Sequence, residues 1–439
     1  MHRHRRAIRW RVGAGIVVVA SLLAAAAGQQ RATDPPSRAY LALLPDGETK
    51  RGFIRDCTGC HVFDARIAFP GGAPRSIESW EERIGSMHAR FGRGSGFPII
   101  ADPAEPKALA RWLASALRQP ARPVAEPVVD SRVREYELPV AGDLPHDLMR
   151  DADGRIVITG MFTAQMYLLD PRDGSVETEA IPVPNANPRA LHIDPDGGWW
   201  VLLGGPGMLA YRSPIGTWTT HNVGMYAHSI ARDRSGVWVN GHFTGHPSLL
   251  AHVDAATAAI RRVEVPSATA EGVSPIPYEL RTAPDGRIWM SELHGNRVLV
   301  TDPATGESRA YAMPVSHAGP RRLDVAADGR VWIPLYTVGE LIALDPASGN
   351  IARYPLPDRD ALPYVARVDD ARNAVWVGTA ASDALYRLDI ASGVFATIPL
   401  PSRGALVRHL DVDSATGEVW AAYGASPGTL SARVARIRP

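Results

Sequence analysis

The sequence has 439 residues, of which 45% are apolar and 21% charged, a composition typical of a globular protein with two or three domains. Its 47 lysine and arginine residues nearly balance its 46 aspartate and glutamate residues, which argues against a nucleic-acid partner or a bulk membrane surface. The 40 glycines and 37 prolines favour short strands joined by tight turns over an all-helical fold.

The N-terminal residues have the pattern of an export signal. A basic segment (1–11) precedes an apolar run (12–23) and a stretch of small residues (24–28). The apolar run is shorter than the ~20 residues that a membrane-spanning helix usually needs. We therefore predict a signal peptide over residues 1–28 that is cleaved near Ala27. The mature protein would then be periplasmic or secreted and would have no membrane span, whereas an uncleaved N-terminal anchor is the alternative.

Both cysteines of the chain fall in one pentapeptide, Cys57-Thr58-Gly59-Cys60-His61. The C-x-x-C-H pattern is the attachment signature of c-type haem, because each thiol can bond one haem vinyl group and the next side chain supplies the proximal imidazole. A redox dithiol would lie near a βαβ pattern, and a zinc site would need two more ligands in a similar cluster; the sequence shows neither. We therefore predict one covalent haem c bound by Cys57, Cys60 and His61, with His61 as an iron ligand.

Three short helices are predicted around this motif. The first covers residues 48–56 and leads into the cysteines, and the third runs from Pro103 to Leu117. The second begins near Ser76, with Ser76 or Ser79 as its N-cap. One face of this second helix carries, at the i, i+4, i+7 spacing, Trp80, Ile84 and Met87.

The segment from residue 40 to 120 resembles a class I cytochrome c domain. The resemblance implies a small all-α domain and a distal iron ligand downstream of the motif, commonly a methionine thioether. Met87 is the only methionine of this segment, so we predict Met87 as the second iron ligand. The neighbouring His88 is the alternative. A proline-rich linker is predicted over residues 121–131.

The rest of the chain repeats a turn followed by an apolar strand that usually carries tryptophan. Copies near 44 residues in length are typical of the four-stranded blades of a β-propeller. We therefore predict an all-β seven-bladed β-propeller over residues 132–439. The seven copies, 38 to 51 residues apart, end at Val157, Trp200, Trp238, Trp289, Trp332, Trp376 and Trp420.

The seventh copy has no outer strand of its own, because the chain stops at Pro439. A matching segment, Tyr136 to Pro139, stands ahead of the first copy. We predict that this N-terminal strand completes the last blade and closes the ring, which removes exposed sheet edges.

The repeat P-x-x-(I/L)-x-x-x-x-D-G-x-(I/V)-W resembles the virginiamycin B lyase family over residues 130–439. Members open a cyclic depsipeptide antibiotic by an elimination that needs a general base and a metal cation. The resemblance implies a Mg²⁺ in the propeller held by glutamates, and Glu292 matches one of them. Tyr278 stands where the family has its base histidine and Ile276 where it has a second glutamate, while His228 matches a substrate-contacting histidine. Glu292, Tyr278 and His228 are therefore the candidate catalytic residues, with the base and half of the metal site altered.

Alignment of the seven copies predicts a ring of side chains facing the central channel, about eleven residues before the end of each copy. A cationic and aromatic mouth of this kind suits an anionic or polar ligand, or a partner surface. The alternative is that these polar groups are simply solvated. In a second ring, three residues after the end of each copy, Glu292 is the only acid, and His242 and His246 are predicted to be loop residues. The first ring consists of His146, Arg189, His228, Tyr278, Arg321, Tyr364 and Arg408, with His409 beside the last.

Three functions are compatible with these patterns. The first is an exported electron-transfer cytochrome whose propeller binds a substrate or a redox partner, either a protein or a small-molecule electron donor. The second is a lyase with an accessory haem, and the third is a non-catalytic binding scaffold. The intact haem motif and the altered lyase site favour electron transfer. Whether the protein is an enzyme, as an oxidoreductase component or a carbon–oxygen lyase, stays open, and we predict a monomer.

Overall fold

The structure is a computed structural model that describes residues 34–59, 61–100, 105–124, 128, 130–243, 248–269, 273–424 and 432–439. The predicted signal peptide, Cys60 and His246 lie outside the described residues. Within the described ranges, no helix is long and apolar enough to cross a membrane.

Short helices make up the N-terminal part of the described chain. The helix that ends in the cysteine motif is one residue longer than predicted, and the last helix begins at Pro106, whereas Pro103 lies outside the described residues. Ser76 is the N-cap of the long helix, since its hydroxyl accepts a hydrogen bond from the Ser79 amide at 3.2 Å. The helices are α1 (Ser37–Leu41), α2 (Glu48–Cys57), α3 (Ala65–Ala68), α4 (Ile77–Phe91) and α5 (Pro106–Ala116), with a 3₁₀ turn over Pro70–Gly72.

Aromatic side chains form the core between these helices. Phe53 of α2 contacts Phe63 edge-on at 5.2 Å between ring centroids and lies 6.0 Å from Trp112 of α5. Phe63 stacks on Trp80 of α4 at 6.4 Å. The predicted apolar face of α4 is therefore the face that packs, and burial of each such ring contributes about 1.5–3 kcal/mol.

The strands of the described chain form seven four-stranded antiparallel sheets. The innermost strands contact one another in a closed cycle that returns from the last sheet to the first. This arrangement confirms the predicted seven-bladed β-propeller.

The strand bounds follow the repeat. The first strand in the chain is β1 (Val133–Glu137), and the four strands of the first three blades are β2 (Pro145–Arg150), β3 (Ile156–Gly160), β4 (Gln165–Leu169), β5 (Val176–Ala180); β6 (Pro188–Ile193), β7 (Trp199–Leu203), β8 (Met208–Arg212), β9 (Trp218–Asn222); and β10 (Ala227–Arg232), β11 (Gly236–Gly241), β12 (Ser248–Asp254), β13 (Ile260–Val265). The next three blades are β14 (Pro277–Thr282), β15 (Ile288–Glu292), β16 (Arg297–Thr301), β17 (Ser308–Ala312); β18 (Asp324–Val325), β19 (Val331–Leu335), β20 (Glu340–Leu344), β21 (Ile351–Pro355); and β22 (Pro363–Asp369), β23 (Ala374–Thr379), β24 (Ala384–Asp389), β25 (Val394–Pro399). The last blade contains β26 (Val407–Val412), β27 (Val419–Tyr423) and β28 (Arg433–Ile437).

Strand β1 closes the ring as predicted. It pairs antiparallel with β28, so that Val133 faces Ile437 and Tyr136 faces Val434, and it becomes the outer strand of the last blade. Tyr136 also stacks on Trp420 of the same blade at 5.5 Å. The two ends of the propeller chain are thereby held in one sheet, and no blade is left with three strands.

The repeated Asp-Gly dipeptide forms the turn between the first two strands of a blade. Gly329 has φ 85°, a conformation that glycine adopts without steric cost, and the following Trp332 is fully buried between blades. In the degenerate sixth copy Asn373 takes the glycine position with φ 47°. Asparagine tolerates this left-handed conformation better than most residues, so the blade forms without the Asp-Gly signal.

The innermost strands carry an irregularity at the channel. Side chains of a regular strand alternate between its faces, so two neighbours cannot both face the channel. The register of the β2–β3 pair shifts between Pro145 and Leu148, and five other blades show a shift at the same place. Such a bulge allows two successive residues, such as His146 and Asp147, to contribute to the channel in two layers.

The N-terminal helices pack over one end of the propeller channel. Lys50 of α2 pairs with Asp360 at 2.8 Å, and Arg38 of α1 pairs with Asp358 at 2.6 Å. Phe97, which follows α4, packs edge-on against Phe243 at 4.5 Å. The helices therefore cover the mouth of the channel, whose polar groups could have been solvated according to the sequence alone.

Candidate functional site

A cavity of about 350 Å³ lies between the helices and the mouth of the propeller. We call it the chamber. The propeller closes one side of it with ring residues, and the helices close the other. The helical part contributes Arg55, Asp56, Gly59, Phe91, Phe97 and Ile99.

The predicted first ring forms the propeller side of the chamber. Six of the seven ring residues line the chamber. The seventh, Tyr364, lies behind them, and its hydroxyl contacts the hydroxyl of Tyr278. All seven side chains are buried, so the alternative that they are simply solvated is wrong. They are buried because the helices cover them. This packing joins distant parts of the chain, so no local sequence pattern predicts it. The members that line the chamber are His146, Arg189, His228, Tyr278, Arg321 and Arg408.

His242 also lines the chamber, and its prediction as an ordinary loop residue is incomplete. It follows β11 directly and stacks on His228 at 4.5 Å. Its Nδ1–H donates to the carbonyl oxygen of Pro277 at 2.8 Å, and Nδ1–H of His228 donates to that of Tyr278 at 2.8 Å. The sequence signal that could have found it is its position directly after Gly241, which lies three residues after Trp238 and therefore belongs to the second ring.

These histidines are neutral at neutral pH. Burial lowers the pKa of His146 to about 4 and that of His242 to about 3. Burial, assisted by the neighbouring His242 and Arg322, holds the pKa of His228 well below its ordinary range. The chamber histidines therefore act as hydrogen-bonding groups rather than as cations.

Arg321 is held by aromatic rings on the floor of the chamber. Its guanidinium lies 3.9 Å from the ring centroid of Tyr336 and 4.6 Å from that of Tyr364, and it donates to the Tyr278 hydroxyl at 2.8 Å. Buried cation–π contacts of this kind contribute up to about 2 kcal/mol each. Burial raises the pKa of Tyr278, so this residue keeps its proton at neutral pH.

Two residues of the cysteine motif, Thr58 and Gly59, contact the floor of the chamber. The Tyr336 hydroxyl donates to the carbonyl oxygen of Thr58 at 3.0 Å and lies 3.0 Å from the Thr58 hydroxyl. A Cβ atom at Gly59 would stand 2.6 Å from Nη2 of Arg321, so the glycine permits close contact between the motif and the propeller. Cys57 ends helix α2, and Cys60 lies outside the described residues.

The remaining predicted iron ligands, His61, Met87 and His88, are not among the described residues that line the chamber. His61 is partly buried, and burial lowers its pKa. Met87 and His88 are neighbours on α4, both partly buried, one turn before Phe91, which lines the chamber. Burial lowers the pKa of His88, and the negative charge of Asp56 opposes that shift.

Glu292 has different surroundings from the other two lyase candidates. Its side chain is fully buried and forms an ion pair with Arg297 at 2.6 Å, and the Ser248 hydroxyl lies 3.4 Å away. Burial raises the pKa of Glu292, and Arg297 opposes that shift. His228 and Tyr278 line the chamber, whereas Glu292 is not among the residues described as lining it. Over the described part of the chain, no group of three or more histidine, cysteine, aspartate or glutamate side chains could hold a metal ion.

A second layer of charged side chains lies beneath the ring. Nη2 of Arg322 pairs with Asp147 at 2.8 Å, and its Nε lies 3.8 Å from Glu279. Arg367 pairs with Glu279 at 3.1 Å, and His409 lies 3.7 Å from Asp147. In this layer the buried cations face carboxylates, so the charges compensate one another.

Comparison with known proteins supports the fold. No family model matches the sequence, and no curated protein matches it. A streptogramin B lyase structure superposes with a TM-score of 0.62 and 17% identity over 70% of this chain and 97% of its own. The virginiamycin B lyase of Staphylococcus aureus gives 0.60 and 16% over 70% and 99%. The hydrazine synthase of Kuenenia stuttgartiensis gives 0.53 and 16% over 69% and 98%. At these identities the likeness shows a seven-bladed β-propeller resembling streptogramin B lyase and does not extend to activity.

Proposed function

We propose that the protein is an exported c-type cytochrome that transfers electrons between its haem and a substrate or redox partner bound at the propeller. The observation that carries the proposal is the position of two residues of the C-x-x-C-H segment at the floor of the chamber. Thr58 and Gly59 contact Tyr336 and Arg321 on the floor of the chamber. A group bonded to the flanking cysteines would lie beside that chamber.

The orientation of His61 supports the proposal of a covalent haem. Nδ1 of His61 lies 3.2 Å from the carbonyl oxygen of Val62, so the ring N–H can donate there and leave Nε2 for an iron. Metal-binding histidines are commonly oriented by such a backbone acceptor. Cys57 and Cys60 would hold the porphyrin covalently, His61 would be the proximal ligand and Met87, or alternatively His88, the distal one.

When bound, haem c supplies a centre that takes up and releases one electron at a time. The protein does the rest. Tyr336 and Arg321 fix the attachment loop against the propeller, and the aromatic side chains of Phe91 and Phe97 contribute an apolar wall to the chamber. The ring residues bind and orient whatever occupies the chamber. Export, through a signal over residues 1–28, belongs to the same proposal because haem c is attached outside the cytoplasm.

Covalent haem attachment tests the proposal. The protein expressed in a bacterial host that matures c-type cytochromes should keep its haem after denaturation and show an absorption spectrum that changes on reduction. Cys57→Ala and Cys60→Ala should lose the covalent haem, whereas Thr58→Ser, inside the same motif, should keep it. A colourless wild-type protein from a host that matures a control cytochrome would refute the proposal.

The distal ligand is tested in the same way. Met87→Ala should change the spectrum of the oxidised protein and lower its reduction potential, since a thioether ligand raises the potential. His88→Ala should leave both unchanged. The opposite pattern would assign the distal position to His88.

A lyase is the second candidate function, and the likeness to streptogramin B lyase favours it. Two of its three candidate residues weaken this hypothesis, because Glu292 is paired with Arg297 and Tyr278 stands at the position of the base histidine. Ring opening of a streptogramin B in the presence of Mg²⁺, lost in Glu292→Ala, would establish it. If neither haem nor ring opening is found, the propeller is a binding scaffold.

A further inference from the structure

We infer that the chamber binds a small aromatic carboxylate. The inference rests on the proposed function in one respect, since it names the substrate class of the same site. The charge, the apolar wall and the size of the chamber support it, and none of these features requires a bound haem.

The chamber lining carries an excess of positive charge. Among the described residues that line it, four carry guanidinium groups, Arg55, Arg189, Arg321 and Arg408, and one carries a carboxylate, Asp56. Arg55 holds Asp56 with two hydrogen bonds, at 2.7 and 3.0 Å, so these two charges compensate each other. The described lining then carries more positive than negative side chains. A buried site of this sign favours an anion, and the planar guanidinium fork matches a carboxylate.

The layer below shows how the same fold treats arginines that are structural. Arg322 and Arg367 face the carboxylates of Asp147 and Glu279 there, at 2.8 to 3.1 Å. In the chamber, Arg189 instead donates to the amide oxygen of Asn187 at 3.1 Å and lies over the ring of Tyr226 at 4.7 Å. An amide and a π face orient a cation without neutralising it. Arg189 therefore keeps its positive charge, which can attract a ligand.

The rest of the wall is apolar. Phe91, Phe97 and Ile99 from the helices face Met161 and Phe162 from the propeller. A cavity of about 150 Å³ lined by such residues accepts benzene, so about 350 Å³ has room for a substituted ring. Charge and wall together select a ligand with an aromatic body and one carboxylate, rather than a small inorganic anion.

One residue that lines the chamber is accessible to solvent. Phe162 is 47% exposed, whereas the ring residues are buried.

Calorimetric titration of the purified full-length protein with benzoate tests the inference, with benzamide as the uncharged probe of the same shape. Benzoate should bind and benzamide should not. Arg189→Gln should weaken benzoate binding about tenfold to a hundredfold, the range for loss of a hydrogen bond to a charged group. Arg189→Lys, which keeps the charge, should weaken it less.

Arg309→Gln is the matched control. Arg309 lies over the ring of Tyr311 at 4.7 Å, the same separation as Arg189 over Tyr226, but on the outside of the propeller. Its substitution should leave benzoate binding unchanged. Equal binding of benzoate by the wild type and Arg189→Gln, or equal binding of benzoate and benzamide, would overturn the inference.

The carboxylates of the haem itself are the other source of the same chemistry. If they occupy the chamber, the haem-loaded protein will not bind benzoate and the Cys57→Ala protein will, which overturns the inference. Benzoate binding by a protein that never acquires haem would support the inference while the proposed function fails. The two failures are thus distinguishable.

Discussion

The ion network under the chamber should be the most sensitive point of the propeller. Arg322 is 2% exposed at its side chain and bridges two carboxylates, Asp147 at 2.8 Å and Glu279 at 3.8 Å. Burial alone would lower the pKa of Arg322, but these two carboxylates raise it, so the guanidinium is charged. Arg322→Met removes the charge and leaves a side chain of similar length.

The cost follows from what stays behind. Both carboxylates are buried and lose a cation, although Asp147 keeps His146 and Glu279 keeps Arg367. Removal of one partner from a buried ion pair costs about 3–5 kcal/mol. For a propeller of this size that corresponds to a fall in the melting temperature of roughly 5–10 °C.

Thermal unfolding followed by circular dichroism measures the effect, and Arg330→Met is the control. Arg330 pairs with Asp328 at 2.7 Å, almost the same distance as in the buried pair, but its side chain is 38% exposed. An exposed pair contributes about 0–1 kcal/mol, so the control should melt within about 2 °C of the wild type. Equal melting temperatures for the two variants would refute the view that burial makes this network essential.

Three further outcomes are expected. Tyr336→Phe removes the donor to the buried Thr58 carbonyl and should weaken docking of the motif by about 1–3 kcal/mol, seen as faster amide hydrogen exchange in α2; unchanged exchange would contradict the contact. The free energy of unfolding should fall as the pH drops from about 6.5 to 4, because the unfolded chain protonates its histidines in this range while His146, with its pKa lowered to about 4, stays neutral in the folded protein. His146 alone accounts for about 3 kcal/mol of this loss. The melting temperature of His146→Gln should therefore depend less steeply on pH. Glu292→Gln should lower stability by about 2 kcal/mol by loss of the Arg297 ion pair, and Mg²⁺ should leave the melting temperature of both proteins unchanged; stabilisation of the wild type alone by Mg²⁺ would instead favour the lyase.

The propeller could be predicted because its information is local and repeated. The turn before Trp332, the apolar strand it begins and the strand near Tyr136 that completes the last blade all read directly from the sequence. The ring residues could be predicted for the same reason, because an equivalent position in each copy reaches the same radius of the channel.

The cover over the mouth could not be predicted in this way. The contacts of Thr58 with Tyr336 and of Lys50 with Asp360 join residues far apart in the chain and leave no periodic trace. Solvated and buried versions of the ring have the same sequence, so only the docked helices distinguish them. His242 was missed because it lies one residue beyond a strand end, where a side chain can point to solvent or to the channel.

The central claim is that a haem bonded at Cys57 and Cys60 lies against the propeller floor, and a spectroelectrochemical titration tests it most directly. The wild-type protein should titrate as a one-electron couple. Arg321→Gln, which removes a positive charge that contacts the attachment loop at Gly59, should lower the reduction potential by on the order of tens of millivolts, because a nearby cation stabilises the reduced state. Arg330→Gln, at the outer surface, should leave the potential unchanged. A protein with no reducible centre, or one whose potential is the same in the wild type and Arg321→Gln, would contradict the claim.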